Sequence, residues 1–438
     1  MFGTMTSTRR VGGAAAAILG ALALAVTGLD AADDAFVTVD RFVPHTSTVP
    51  ANEGERVGLF LHEKLSRDLA DRVAAGERPD GRVVLFVHGG SIPSVPDYDL
   101  PYKDYSWMEH LAAAGFDTFS MDQTGYGLSP RPMMDDPCNM APDDRAIVTP
   151  NPLVEDCEPS YRHGLTTSQS DWDEIGRVVD YIRELRGVDK VSLVGWSAGG
   201  PRTGGFAARH PDKIDKLVLF APGYGRDRPS DPPEVIPAGD VPMRLQTRDM
   251  LENGRWRSTV ACDDQIDPGI QEVIWQTVMA YDQRGSVWGP PHGVMRVRTS
   301  AGSWGWNREY AAKVQAPTLI LVGEQAVLLG PDEQLYDDLT GADGRVLVTM
   351  ACATHFAVWE KTQYRFMHEA SREWLEQGTF RGLTNGRFSI GRDGAVDGMI
   401  LMIAALVPRP LPRAVPLLPV SVPPPAPRHA SASSSSPR

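Results

Sequence analysis

Basic residues, cysteines and long apolar segments are all scarce in this sequence. The 438 residues include 43 Lys and Arg against 56 Asp and Glu, giving a net charge of −13. This balance argues against a nucleic-acid partner, because such surfaces need clustered positive charge. None of the four cysteines has a C-x-x-C spacing typical of zinc sites. We therefore expect no metal, no cofactor and no nucleic acid.

One apolar segment, residues 11–28, approaches the length of a membrane span. Arg9 and Arg10 precede it, and small residues suited to cleavage follow at Ala31, Ala32 and Ala35. This order predicts a secretory signal peptide over residues 1–35, with the mature protein secreted or periplasmic and not stably inserted in a membrane. An uncleaved membrane anchor is the alternative.

Export to an oxidising compartment makes disulfides possible. Cys138 and Cys157 enclose a loop rich in proline and aspartate, and we predict that they pair. Cys262 and Cys352 are expected as two buried thiols, with a second disulfide as the alternative.

Short apolar runs alternate with longer amphipathic stretches along the chain. The predicted strands are 57–63, 82–90, 116–122, 190–196, 216–222, 317–323 and 345–350, and the main predicted helices are 106–115, 170–187 and 198–211. This alternation indicates an α/β fold with a mostly parallel sheet and helices on both faces. The continuous apolar runs are typical of strands that are buried on both sides.

Residues 223–314 separate two predicted strands by more than a crossover needs, and they contain five of the ten tryptophans. We predict that this segment is a mainly helical cap inserted between core segments 36–222 and 315–378. A C-terminal extension, 379–438, is expected to be disordered from about residue 408, where proline and serine dominate. The aromatic cap suggests an apolar substrate, although such tryptophans also serve as core.

The motif Gly195-Trp196-Ser197-Ala198-Gly199 lies between a predicted strand and a predicted helix. This context is the one that a Gly-x-Ser-x-Gly nucleophile elbow requires. The serine would sit on a sharp turn at a helix N-terminus, where amide hydrogens and the helix dipole favour developing negative charge. The motif thus predicts Ser197 as a nucleophile.

Further motifs resemble those of the α/β-hydrolases over residues 57 to about 376. They are His88-Gly89-Gly90-Ser91, the stretch Asp122–Ser129 (DQTGYGLS), Arg209-His210-Pro211 and Ala353-Thr354-His355-Phe356. The resemblance implies an eight-stranded type of sheet and a serine mechanism. It implies that His355 is the general base and that amides of Ala198 and of Gly90 or Ser91 form the oxyanion hole.

The catalytic acid is missing from both positions that the family uses. In the family the acid usually stands in a Gly-Glu-x-Asp stretch, which corresponds here to Gly323-Glu324-Gln325-Ala326. The family's second position, after the strand at 216–222, also lacks an acid. Three possibilities stay open: Glu324 as the acid, no acid at all, or Asp332 or another group.

The sequence thus favours an exported serine hydrolase that cleaves a small carboxylic ester by an acyl-enzyme mechanism. An amide hydrolase similar to prolyl aminopeptidases is one alternative. A pseudo-hydrolase with impaired catalysis is another, since the usual acid position is Ala326. The sequence does not indicate an oligomeric state.

Overall fold

The computed structural model describes residues 35–289, 291–326, 329–392 and 394–395. Of Leu329 it describes the backbone alone. The predicted signal peptide, apart from Ala35, and the predicted disordered tail lie outside the described residues. No helix within the described ranges is long and apolar enough to cross a membrane.

The strands of the described residues are, in chain order, β1 (Phe36–Thr46), β2 (Arg56–Ser66), β3 (Val83–Val87), β4 (Asp117–Met121), β5 (Thr166–Thr167), β6 (Val191–Trp196), β7 (Ile214–Phe220), β8 (Met243–Gln246), β9 (Met295–Arg298), β10 (Ser300–Gly302), β11 (Thr318–Gly323), β12 (Arg345–Met350) and β13 (Asn385–Ile390). The α-helices are α1 (Arg67–Ala74), α2 (Ser94–Tyr98), α3 (Trp107–Ala113), α4 (Arg145–Val148), α5 (Ser168–Arg186), α6 (Gly199–Arg209), α7 (Ile270–Ala280), α8 (Arg308–Ala311), α9 (Leu329–Asp338) and α10 (Tyr364–Gln377).

Nine strands form one sheet in the order β1-β2-β4-β3-β6-β7-β11-β12-β13. The strands β1 and β2 run antiparallel to their neighbours, and all other pairs are parallel. The seven predicted strands and the mostly parallel sheet are confirmed. The sheet has two strands more than the seven predicted individually, and one more than the eight-stranded type. The two strands, β1 and β13, lie at its edges and carry no strong apolar run, and β13 lies inside the predicted C-terminal extension.

Each face of the sheet is covered by helices through a separate apolar cluster. On one face α3 and α10 contribute large side chains such as Trp107 and Trp374. On the other face α5, α6 and α9 contribute side chains such as Trp172, Phe206 and Leu335. Burial on both sides explains why the central strands read as continuous apolar runs.

The segment 223–314 packs into the same core as the sheet. Its residues Leu251, Trp256 and Trp275 belong to the cluster that covers the α10 face. The segment contains α7, α8 and a helical turn at Met250–Trp256, together with the short strands β8, β9 and β10. Segment 131–165 packs on it through a satellite apolar cluster that includes Trp288.

The two cysteine pairs are both disulfides. Cys138 and Cys157 are bonded, with their Cα atoms 5.5 Å apart, which confirms the predicted pair. Cys262 and Cys352 are also bonded, with Cα atoms 5.6 Å apart, so the expectation of two buried thiols is wrong. The fold brings these two residues together across 90 positions, a proximity that their local sequence does not encode.

Candidate active site

Ser197 stands at the turn from β6 into α6 with a φ angle of +55°. A non-glycine residue in this region is strained, and such strain is concentrated at functional sites. A Cβ atom at Gly195 would lie 2.6 Å from Thr203 Oγ1, and one at Gly199 would lie 2.3 Å from the Val87 carbonyl oxygen. The two glycines of the motif therefore allow the close backbone approach that makes the turn sharp.

Three backbone amides around this turn are free. Those of Gly90, Ser91 and Ala198 donate no hydrogen bond to any residue that the structure describes. Gly90 and Ala198 face each other so closely that a Cβ atom at Gly90 would lie 3.3 Å from Ala198 Cβ. Unpaired donors at one point of the fold are the arrangement that an oxyanion hole requires.

The loop that carries Gly90 is held by buried hydrogen bonds. The Gly89 amide donates to Asp97 Oδ2 at 3.0 Å, and Arg202 Nη1 donates to the carbonyls of His88 and Gly89 at 2.9 and 3.0 Å. His88 Nδ1 donates to the Gly89 carbonyl at 2.8 Å, and its Nε2 accepts from the Gln123 amide at 3.1 Å. His88 is therefore a neutral structural group, and burial and the charge of Arg202 lower its pKa.

A small cavity of about 20 Å³ is lined by four of the predicted site residues; Ala198 and Glu324 do not line it. We call it the serine cavity; among the residues that line it are Gly90, Ser91, Ser197, Arg255 and His355. Its volume matches roughly one water molecule. No hydrogen bond joins Ser197 to His355 within the described residues, and bonds of this kind often tighten only when substrate is bound.

His355 has an unusual environment for a histidine. Burial, and then the positive charge of Arg255, lower its pKa to about 4. Its Nδ1 is buried and has no hydrogen-bond partner among the residues that the structure describes. The Trp196 indole donates to the His355 carbonyl at 2.9 Å and so anchors its backbone. The imidazole is therefore neutral, and its second nitrogen is left without the acceptor that a triad supplies.

The structure does not bring an acid to His355. Glu324 is exposed, its Oε1 accepts from the Cys352 amide at 2.8 Å, and it has no hydrogen bond to His355 among the described residues, so the structure gives no support to Glu324 as the acid. Asp332 is buried with neither carboxyl oxygen bonded, and burial raises its pKa to about 9. It makes no hydrogen bond or ion pair with His355. Ala326 packs in the apolar cluster on the α5 face.

Glu360 ties the His355 loop to segment 223–314. Its carboxylate accepts from the Thr354 amide at 2.9 Å, from the Trp256 indole at 2.8 Å and from Gln265 Nε2 at 2.9 Å. Burial raises its pKa, and these hydrogen bonds oppose that rise. Glu360 therefore positions the residue next to His355, a role that sequence reasoning missed.

Arg255 is a further residue that sequence reasoning missed. Its Nη1 donates to Ser91 Oγ at 2.8 Å, across 164 positions of the chain. It lines the serine cavity, and it has no ion pair with a described residue. An arginine in a polar segment carries no signal of such a contact, because only the packing of segment 223–314 on the sheet creates it.

Residues 82–253 match the family model described as alpha/beta hydrolase fold. The chain has the α/β-hydrolase fold. This match, together with the nine-stranded sheet, confirms the predicted fold and the prediction that the protein is a hydrolase.

Individual relatives of this α/β-hydrolase are distant. The chain is 23% identical over 296 residues to a 2-hydroxy-6-oxo-6-phenylhexa-2,4-dienoate hydrolase of Comamonas testosteroni, covering 67% of this chain and 89% of that protein. It is 52% identical over 46 residues to a poly(3-hydroxyalkanoate) polymerase subunit of Allochromatium vinosum, covering 10% of this chain and only 13% of that protein. A crystal structure of a serine hydrolase from the bacterium Cycloclasticus zankles has a TM-score of 0.44 at 16% identity, covering 78% of this chain and 98% of that one.

Proposed function

We propose that this hydrolase is an exported enzyme that cleaves a carboxylic ester through an acyl-enzyme formed on Ser197. The observation that carries the proposal is the serine cavity, where the strained Ser197 shares one space with His355 and with Gly90 and Ser91, whose amides donate no hydrogen bond to a described residue. These are the parts that acyl transfer needs: a nucleophile, a base and donors for the oxyanion.

In the proposed mechanism His355 removes the Ser197 hydroxyl proton as the oxygen attacks the ester carbonyl. The amides of Ala198 and of Gly90 or Ser91 donate to the oxyanion of the tetrahedral intermediate, and each such donor is worth about 3–4 kcal/mol. His355 then protonates the leaving alcohol. Water attacks the acyl-enzyme with His355 again as the base, releasing the acid and restoring Ser197.

We infer that the base works as a dyad with Ser197, without a carboxylate. The unbonded Nδ1 of His355 and the alanine at position 326 support this inference. The imidazolium that forms during attack is disfavoured by burial and by Arg255, the two causes of its lowered pKa. A slow enzyme follows, because loss of the acid of a triad costs roughly 10⁴ in turnover while leaving residual catalysis.

The unbonded Nδ1 of His355 also favours a second candidate, a pseudo-hydrolase that binds a ligand without turnover.

An aminopeptidase is less well supported. Recognition of a free amine needs an ionised carboxylate. Asp97 is the one acidic residue that lines the serine cavity; burial raises its pKa well above the usual value, and its Oδ2 accepts from the Gly89 amide. The two disulfides support export to an oxidising compartment.

The tryptophans of segment 223–314 give no support for an apolar substrate. The five tryptophans of segment 223–314 are all buried, and none lines the serine cavity. These tryptophans belong to the core and do not select the acyl group of the ester. The proposed cap comprises segment 223–314 together with residues 131–165, which share its satellite cluster.

Labelling with a fluorophosphonate probe tests the proposal. We expect the purified protein to be labelled on Ser197 and to hydrolyse p-nitrophenyl esters, and we expect Ser197→Ala to lose both. His355→Gln should lose turnover while keeping its fold. A wild-type protein that is neither labelled nor active would favour the pseudo-hydrolase.

A further inference from the structure

A second and larger cavity, of about 220 Å³, adjoins the proposed oxyanion hole. Gly90 lines both cavities, and the larger one is also lined by Ala198, whose amide is one of the free donors. We call it the arginine cavity because three guanidinium groups line it: Arg202, Arg228 and Arg298. A substrate held at Ser197 therefore has a charged space directly beside the atoms that react.

Two of the three arginines share one counter-ion. Arg202 Nε donates to Asp171 Oδ2 at 3.2 Å, and Arg298 Nη2 donates to Asp171 Oδ1 at 2.6 Å. Arg202 is further bonded to the oxyanion loop, and Arg298 Nη1 donates to the Thr124 carbonyl at 2.6 Å. These two side chains are held rigidly and present a fixed positive potential to the cavity.

Arg228 is different, because its guanidinium has no partner. It makes no ion pair and donates no hydrogen bond within the described part of the chain. The side chain is half-buried, and burial alone lowers its pKa. Three guanidinium groups and one carboxylate thus line the cavity, so its wall carries an excess of positive charge.

An unpaired, partly buried guanidinium is costly unless something else compensates its charge. A guanidinium presents parallel N–H donors that match the two oxygens of a carboxylate. The serine hydroxyls of Ser168, Ser300 and Ser303 also line the cavity and give it a polar wall. These donors suit an anionic oxygen group, and Tyr126 and Trp172 add aromatic surface to the same lining.

We propose that the arginine cavity binds a carboxylate of the substrate, with Arg228 as its principal counter-ion. This inference rests on the proposed function of Ser197 and names the substrate class: an ester that carries a free carboxylate on its acyl or its alcohol part. Arg228 is then a specificity residue, and Arg202 and Arg298 support it through the surrounding potential.

The first test compares charged esters with neutral ones of matched size. Mono-p-nitrophenyl glutarate against p-nitrophenyl valerate probes the acyl side, and 4-acetoxybenzoate against phenyl acetate probes the alcohol side. We expect wild type to prefer the charged ester of one pair by at least about tenfold in kcat/KM, a factor that corresponds to ~1.4 kcal/mol. Arg228→Gln should bring that ratio close to one.

Arg308→Gln is the matched control. Arg308 is exposed, its Nη2 lies 3.5 Å from Asp227 Oδ1 beside Arg228, and it does not line the cavity. The control removes the same charge from the same region, so it should keep the preference for the charged ester. A preference that is absent in wild type, or that survives in Arg228→Gln, would overturn the inference.

Binding of free glutarate to Ser197→Ala separates this inference from the proposed function. We expect glutarate binding in calorimetry, weakened at least tenfold by adding Arg228→Gln. If wild type hydrolyses no ester but glutarate binds through Arg228, the hydrolase proposal fails and the cavity stands. If neutral esters are hydrolysed and glutarate does not bind, the cavity inference fails alone. Circular dichroism verifies that Arg228→Gln folds.

Discussion

At the scale of single residues, His355 is the group whose state decides the chemistry. Its lowered pKa has two causes, burial first and Arg255 second. Only the neutral imidazole can accept the Ser197 proton, so activity should be lost as the pH falls through the pKa of His355.

We therefore expect kcat/KM for a neutral ester to stay constant from pH 7 down to about pH 5 and to fall with a midpoint near 4. Arg255→Gln should move this midpoint upward, because the repelling charge is gone. Arg255→Lys keeps the charge and should leave the midpoint low. An acid limb near pH 6.5 in wild type would contradict this environment for His355.

A second prediction concerns position 326. Ala326 occupies the position where the resembling family has its acid, and His355 Nδ1 lacks an acceptor. We expect Ala326→Asp to raise turnover by at least about tenfold, a small part of the ~10⁴ that an acid contributes in a complete triad. Ala326→Asn, which has the same size without the charge, is the control. Equal turnover in the two variants would show that the carboxylate does not reach the imidazole.

At the scale of elements, the loop between β12 and α10 carries His355, and contacts with segment 223–314 hold this loop in place. The Cys262–Cys352 disulfide ends three residues before His355, and Glu360 anchors Thr354 beside it. The other disulfide, Cys138–Cys157, encloses a loop outside the serine cavity.

We expect the double variant Cys262→Ala/Cys352→Ala to lose both stability and activity. The chain-entropy model gives about 4–5 kcal/mol for a loop of roughly 90 residues, against about 3 kcal/mol for the shorter loop. The matched variant Cys138→Ala/Cys157→Ala should lower the melting temperature less and leave kcat largely intact. Equal effects of the two variants on kcat would refute the positioning role of the Cys352 bridge.

At the scale of the whole molecule, a partly buried ion cluster stabilises the antiparallel edge of the sheet. His62 on β2 bonds Asp40 on β1 at 2.7 Å and Asp99, which follows α2, at 2.9 Å. Burial lowers the pKa of His62, but the two carboxylates outweigh burial and raise it to about 9. The charged histidine thus joins two strands and the loop behind the oxyanion segment.

Because this pKa is raised, the stabilisation is complete below the unfolded value near 6.5 and disappears as the pH rises through about 9. We expect the free energy of unfolding to fall by on the order of 2 kcal/mol between pH 6 and pH 9.5 in urea titrations. His62→Gln should be less stable at pH 6 and should lose most of this slope. A slope that persists in the variant would assign it to other groups.

Much of the fold could be predicted from the sequence, because its signals are local. A strand buried on both faces must be apolar, and a sharp strand-to-helix turn around Ser197 must have small neighbours, so both are visible in short stretches. The edge strands β1 and β13 were missed because an edge strand can be polar. The sequence left Glu324 open as the acid; in the structure its carboxylate accepts from the Cys352 amide, a partner 28 positions away that the local sequence does not reveal.

The sequence by itself determined the parallel sheet, the elbow at Ser197, the identity of His355 as the candidate base and the absence of an acid at position 326. Tertiary structure alone decided which groups meet. It placed Arg255 within hydrogen-bond distance of Ser91 and joined Cys262 to Cys352 in a disulfide. It also left His355 Nδ1 without a partner among the described residues and placed three arginines in the cavity beside the oxyanion amides. The physical reason is that charge and hydrogen bonding act across a few ångströms, between residues that chain order can place more than a hundred positions apart.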